Sequence, residues 1–339
     1  MQTPVLVAGI GGASLGTEVL KSLELARRYE IYGCDISEFA YGHYQPGVRQ
    51  TFLVPRENYV AAIHDICVTH KIRAIIPGGE EPLALLAPHA GKFQHIGVHI
   101  AANAPEVIGV CSDKTNVFKR LASLGIPIPR TIAIRSTDEL GEVSIPCVIK
   151  PATGTGGSRF VFLAANREEA RLYVRFLLEN SETAIAQEYI PLDEGEFTIG
   201  VLSLRSALVY SIALRRQFNA KLSVSVKTKM GLISSGYSQG LIDEFPEICA
   251  QAEKIAGGLE SAGPLNIQAR VRDGVLLPFE FNPRFSATTY LRALAGFNEI
   301  DLYLQYILFG VTPAQPRIRA GYYLRSLSEV FVPAENVKR

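Results

Sequence analysis

Short, nearly unbroken apolar runs alternate with amphipathic stretches in the first part of the chain. VLVAGI (5–10), EIYGCDI (30–36), IRAIIPGG (72–79) and GVHIAAN (97–103) have the length and character of strands. Between them, Thr17–Tyr29, Tyr59–His70 and Pro82–Lys92 carry helical spacing. The alternation predicts a parallel, doubly wound sheet. A polar turn at Ser112-Asp113 then opens a helix over Lys114–Leu124, closed by Gly125, Pro127 and Pro129.

From about residue 131 the pattern changes. TIAIRS, PCVIKPA, SRFVFLAA, TAIAQEYI, EFTIGVLS and ALVYSIALRR are strand-like, with one helix at Arg167–Asn180 and another at Pro246–Ala262. This is an α+β pattern with antiparallel hairpins. A hairpin follows over 263–284, then an amphipathic helix over Thr288–Phe309 and a last strand, YYLRSLSEVFV. No fixed-period repeat or low-complexity tract is present.

The 339 residues suffice for two or three domains. A net charge of +1 supplies no global field for nucleic acid or an acidic membrane. No apolar run approaches the roughly 20 residues of a membrane span, and no secretory leader is read at the N-terminus. The five cysteines are scattered, with no CxxC pair, which points to a reducing, cytoplasmic setting rather than a disulfide framework. The histidines form no HExxH, and His95 and His99 straddle Gly97, so they do not suggest a metal pair.

The densest chemistry lies in GPLNIQARVRDGVLLPFEFNPR (263–284). Asp273-Gly274 is a hairpin-turn signal between two apolar strands. Asn266 and Gln268 share one side of the first strand, Glu280 and Asn282 one side of the second, and Arg284 follows. Hard oxygen donors beside a cation are what Mg²⁺ and a polyphosphate require. In KPATGTGGSRF (150–160), Gly154, Gly156 and Gly157 let backbone amides approach phosphate closely, with Lys150 at the strand end. A flexible hairpin tip fits the same residues. QEYIPLDEGEFTIG (187–200) offers backbone groups to a purine edge and a carboxylate to ribose, or is an ordinary acidic loop.

Two glycine-rich or acidic turns have rival readings. GIGGASLG (9–16) is an off-pattern dinucleotide fingerprint, with Asp35 suited to a ribose. It also matches a G-x-S-x-G nucleophile elbow around Ser14, or is a plain tight turn into a helix. Glu80 and Glu81, at a strand end and helix start, are accounted for by helix capping, with substrate contact as the other reading.

In their order along the chain these segments resemble the ATP-grasp superfamily, particularly its carbamoyl-phosphate-synthetase-like and biotin-carboxylase-like branch. The carriers are DKTNVFKRLASLGIPIPRT, CVIKPATGTGG, QEYI with Glu196, GPLNIQAR and FEFNPRFSATTYLRALAG. The resemblance implies a Rossmann-like pre-ATP-grasp domain (1–112) and an ATP-grasp domain (113–310). A mobile lid subdomain spans roughly 115–190, and a C-terminal strand and tail cover 311–339. It implies that Lys114, Lys150, Gly156, Gly157 and Ser158 meet the phosphates. Glu188, Tyr189 and Ile190 would meet adenine, and Glu196 the ribose. Gln268, Glu280 and Asn282 would bind one or two Mg²⁺ ions, with Mn²⁺ as a substitute. Arg284, with Asn282, would act on the transferred phosphate. Arg215, Arg216 and Asn266 are further substrate candidates. Gln268 departs from the glutamate frequent in the family, so a second metal there would be held more weakly.

The implied activity is an ATP-dependent ligation of a small carboxylate, such as an amino acid, to an amine through an acyl phosphate, releasing ADP and phosphate. Rival readings are a carboxyphosphate- or carbamoyl-phosphate-type synthetase subunit, a non-catalytic nucleotide sensor and an NAD-binding oxidoreductase. The partners expected are small molecules, with a homodimer admitted and neither nucleic acid nor membrane.

Overall fold

The computed structural model describes residues 2–12, 14–154, 160–180, 183–204, 208–218 and 221–338. The N-terminal part runs β1 (Thr3–Ala8), α1 (Leu15–Ala26), β2 (Tyr29–Asp35), β3 (Gln50–Leu53), α2 (Tyr59–Thr69), β4 (Ala74–Pro77), α3 (Glu80–Leu86), α4 (Ala90–His95), β5 (His99–Ile100) and α5 (Pro105–Cys111). Its strands are parallel, in the order β3-β2-β1-β4-β5. Successive β1 side chains point to opposite faces. Val5 and Val7 meet Val19, Leu20 and Leu23 of α1. Leu6 and Ala8 meet Ile63 of α2 and Phe93 of α4. Both faces are thus covered, which is why the run is apolar throughout. β3 was not among the expected strands; it lies as an edge against β2.

After α6 (Lys114–Ser123) comes a four-stranded antiparallel sheet, β6-β9-β7-β8, built from β6 (Thr131–Ile134), β7 (Cys147–Pro151), β8 (Phe162–Ala164) and β9 (Ala184–Glu188). Helix α7 (Arg167–Glu179) covers one face. Cys147 and Ile149 pack under it with Val174 and Leu177, so Val148 and Lys150 emerge on the other side. The lid expected over 115–190 is therefore not one packing unit. α6 buries Val117, Phe118 and Leu121 against Ile267 and Phe281, strands of the next sheet.

That sheet has six strands in the order β16-β15-β10-β11-β14-β17. They are β10 (Glu196–Leu204), β11 (Leu208–Arg216), β14 (Gly240–Asp243), β15 (Pro264–Arg272), β16 (Val275–Asn282) and β17 (Gly321–Tyr323), with a small hairpin β12 (Val224–Lys227) and β13 (Leu232–Ser234) beside it. α8 (Pro246–Gly258) lies on the α6 side. α9 (Thr289–Leu294) and α10 (Glu299–Phe309) join the opposite face to α1.

Two expectations change. The single helix over Thr288–Phe309 is two helices, because Gly296 turns at φ +99° with the Arg317 carbonyl 2.4 Å from where a Cβ would sit. The last strand shrinks to β17, because its ladder partner among the described residues, β14, begins at Gly240 and pairs with it at three positions, Gly240 to Ile242.

Candidate active site

The β15–β16 hairpin turns at Asp273 and Gly274, both at positive φ (53° and 72°), as Asp-Gly predicts. Its ladder then slips: Gln268 faces Glu280, but Ala269 faces Pro278, leaving Phe279 as the extra residue of a bulge. Proline has no N–H for a ladder, so a bulge beside Pro278 is where the strand yields. The carbonyl of Phe279 is turned to Lys150, whose Nζ donates to it at 2.8 Å and to Gln187 Oε1 at 2.8 Å. Lys150 is only 5% exposed. Burial, with a smaller push from Lys114, lowers its pKa from 10.5 to about 7, against a pull upward from Glu280.

Lys114 opens α6, whose Asp113 cap accepts from Thr115 N at 2.7 Å. Its backbone N–H binds the Ala152 carbonyl and its Nζ the Gly154 carbonyl at 3.3 Å, which ties α6 to the end of β7. On β16, Asn282 Nδ2 donates to Glu280 Oε1 at 3.1 Å. Arg284 Nη2 reaches Asn282 Oδ1 at 3.4 Å and Glu80 Oε1 at 3.1 Å. A chain of polar contacts thus runs Glu280–Asn282–Arg284–Glu80. Arg284 Nε is buried without a hydrogen-bond partner among the described residues.

These groups line one cleft of about 270 Å³ between the four- and six-stranded sheets. Its apolar part comprises Val148, Val161, Tyr189 and Ile233, which also pack together. Glu188 accepts from Arg130 N at 3.2 Å and pairs with Arg272. The structure brings Lys114, Lys150, Glu188, Tyr189, Ile190, Glu280, Asn282 and Arg284 to this cleft. Gly156, Gly157 and Ser158 lie outside the described residues.

Other expected site residues are placed elsewhere. Glu196 is 0% exposed and bonds Arg216 at 3.1 Å and Arg270 at 2.9 Å. A carboxylate held by two guanidiniums is not presented to a ribose, so the structure corrects that expectation. Arg216 is buried in the same cluster; burial lowers its pKa while Glu196 opposes the fall. It is not presented to a substrate, and Arg215 lies half-buried against Gly195. Asn266 Oδ1 is taken by Thr198 at 3.0 Å and Arg292 at 2.7 Å. Gln268 stands opposite Glu280 in register without lining the cleft.

Two residues were under-read. Glu80 joins the cleft rather than only capping α3. Arg270 braces the segment that follows β9: it donates to the Ile190 carbonyl at 2.6 Å and the Leu232 carbonyl at 2.8 Å, and lies 4.9 Å from the Tyr189 ring centroid. The Ser14 hydroxyl donates within its own turn, to Gly11 O.

Residues 111–288 match an ATP-grasp domain, and residues 6–101 a PylC-like N-terminal domain. The carbamoyl phosphate synthase large chain of Methanosphaerula palustris is 26% identical over 225 residues, 64% of this chain and 21% of that one. The chain spans about a fifth of the length of such curated relatives. Among solved structures, the L-amino acid ligase from Bacillus licheniformis is similar at a TM-score of 0.68 and 16% identity, covering 91% of this chain and 74% of that chain. Biotin carboxylase from Campylobacter jejuni has a TM-score of 0.69 at 15% identity, covering 94% and 74%. At these identities the likeness is one of fold.

Proposed function

This chain belongs to the ATP-grasp family, and on that premise we propose that it ligates a small carboxylate to an amine at the expense of ATP. One observation carries the reading: two lysines, an arginine, a carboxylate and an amide, from three separate parts of the chain, share one cleft with an apolar slot. The slot of Val148, Val161, Tyr189 and Ile233 suits a purine face. Lys114 and Lys150 suit its phosphates.

Glu280 and Asn282 give a carboxylate and an amide oxygen, the hard donors of a Mg²⁺ ion that shares its other positions with water and phosphate. Gln268 is the neighbouring donor across the ladder. When bound there, Mg²⁺ would neutralise phosphate oxygens.

The residues then divide the work. Lys114 and Lys150 draw charge from the phosphates so that a carboxylate can approach the γ-phosphorus. The carboxylate oxygen bonds phosphorus as the bond to the ADP oxygen breaks, giving an acyl phosphate. Arg284 faces the transferred group. Glu80, beside Arg284, takes a proton from the bound ammonium; the freed amine attacks the acyl carbon, and the C–O bond breaks as phosphate leaves with the second proton lost from nitrogen. The test is ADP formation across a panel of amino acids, other carboxylates and amines. A panel member that raises ADP release and appears in an amide product supports the reading. Bicarbonate alone raising ADP release moves it to carboxyphosphate chemistry, and ATP binding with no stimulated turnover moves it to a sensor.

A further inference from the structure

A second cavity, of about 190 Å³, opens on the other side of α3. Glu80, Leu83 and Ala84 face the ligase cleft, whereas Glu81, Pro82 and Leu85 face this one. It lies outside the carboxyl ends of β1 and β4, where the strand order reverses. Open parallel sheets hold ligands at that point. Glycine brings the two bordering turns together: a Cβ on Gly78 would stand 1.9 Å from the Gly9 carbonyl oxygen, and one on Gly9, at φ +93°, 2.8 Å from Pro82 Cγ.

Three polar groups meet in its wall. Asp35 is fixed, Oδ2 accepting from Ile10 N at 2.7 Å and Oδ1 from Ser37 N at 3.0 Å. A carboxylate has about four lone-pair positions, so each oxygen keeps one for a ligand. Arg56 pairs with Glu81 at 2.8 Å, but both side chains are more than half exposed, so the pair is weak and easily exchanged for an anion. The Tyr59 hydroxyl is buried without a hydrogen-bond partner among the described residues, beside the weakly bonding Cys34 thiol. A buried hydroxyl left so is costly, and a ligand or its water would relieve it.

We propose that this cavity is a second ligand site, for a small polyhydroxylated anion of the pentose phosphate class. Vicinal hydroxyls go to Asp35 and the phosphate to Arg56. At about 190 Å³ the cavity is smaller than the first cleft and suits a compact ligand. α3 forms a wall of both cavities, so an occupant here bears on Glu80. The site uses none of the ligase residues and stands whether or not ligation is observed.

The test is calorimetric titration of ribose 5-phosphate into the full chain with a non-hydrolysable ATP analogue and Mg²⁺ present. Saturable binding is expected, with ribose and inorganic phosphate each weaker by about tenfold or more. Arg56→Ala and Asp35→Asn each weaken it by about tenfold, and Glu280→Ala leaves it unchanged. Asp35 also caps the Ile10 N–H, so thermal melting accompanies its variant; if that variant unfolds, exposed Arg56 decides. Absence of binding at millimolar ligand, displacement by the ATP analogue, or an affinity indifferent to Arg56→Ala overturns the proposal.

Discussion

Glu80 and Arg284 meet at 3.1 Å although 204 residues separate them along the chain. The contact joins the N-terminal sheet to the end of β16 and sets opposite charges side by side at the cleft. A zwitterionic or ammonium-bearing acceptor would exchange its own charges for this pair. Glu80→Gln is expected to raise the KM of the amine about tenfold to a hundredfold and to leave the KM of ATP near the wild-type value. Steady-state kinetics with each substrate varied in turn checks this, and an ATP-side effect alone would remove Glu80 from the acceptor.

Glu280 bonds only Asn282 among the hydrogen bonds described, and it acts on buried Lys150 through charge alone, so its loss breaks no direct ion pair. Glu280→Ala should therefore melt close to the wild type while losing about a hundredfold or more of Mg²⁺-dependent ADP formation. Retained ADP formation at saturating Mg²⁺ would contradict the metal assignment.

A phosphate contact at Lys150 would make nucleotide binding a proton-linked event. Its folded pKa of about 7 lies below the 10.5 of the unfolded chain. Between these values the unfolded state holds more protons, so this group's contribution to stability rises with pH across that window and is fully unfavourable below it. A polyphosphate beside Lys150 restores the proton. ATP binding midway through the window should take up close to one proton, read as a binding enthalpy that depends on the buffer's ionisation heat. Lys150→Met should lose that dependence and weaken ATP binding. Equal enthalpies in all buffers for the wild type would refute the linkage.

Glu196 separates a structural role from a ribose contact. Removing it strands Arg216 and Arg270, both buried, and breaking such a pair typically costs about 3–5 kcal/mol. Glu196→Ala is expected to lower the unfolding free energy, read from denaturant melts, by that amount. A variant with wild-type stability and a selective loss of ATP affinity would instead restore the ribose reading.

The hairpin chemistry was legible because strand alternation fixes faces: Glu280 and Asn282 had to point one way once Asp273-Gly274 was taken as the turn. The bulge was not read, though Pro278 inside the strand was its signal. Without the bulge nothing in the sequence aims the Phe279 carbonyl at Lys150. Glu196 was misplaced for a different reason. Its partners lie on neighbouring strands, Arg270 directly opposite on β15 and Arg216 on β11, and a linear sequence does not give that order. Glu80 at the start of α3 looks the same whether it only caps a helix or also meets a distant arginine. Whole elements were likewise easier than their ends: β17 stops where β14 runs out.

The bulged hairpin leaves the ribosome after every other segment that lines the cleft. Until Phe279 has emerged, the Lys150 amine lacks its carbonyl anchor, and Glu280, Asn282 and Arg284 do not yet exist beside it. A nascent chain halted before β16 would carry Lys114 and Lys150 without Glu280, Asn282 and Arg284, the groups that close the cleft around them.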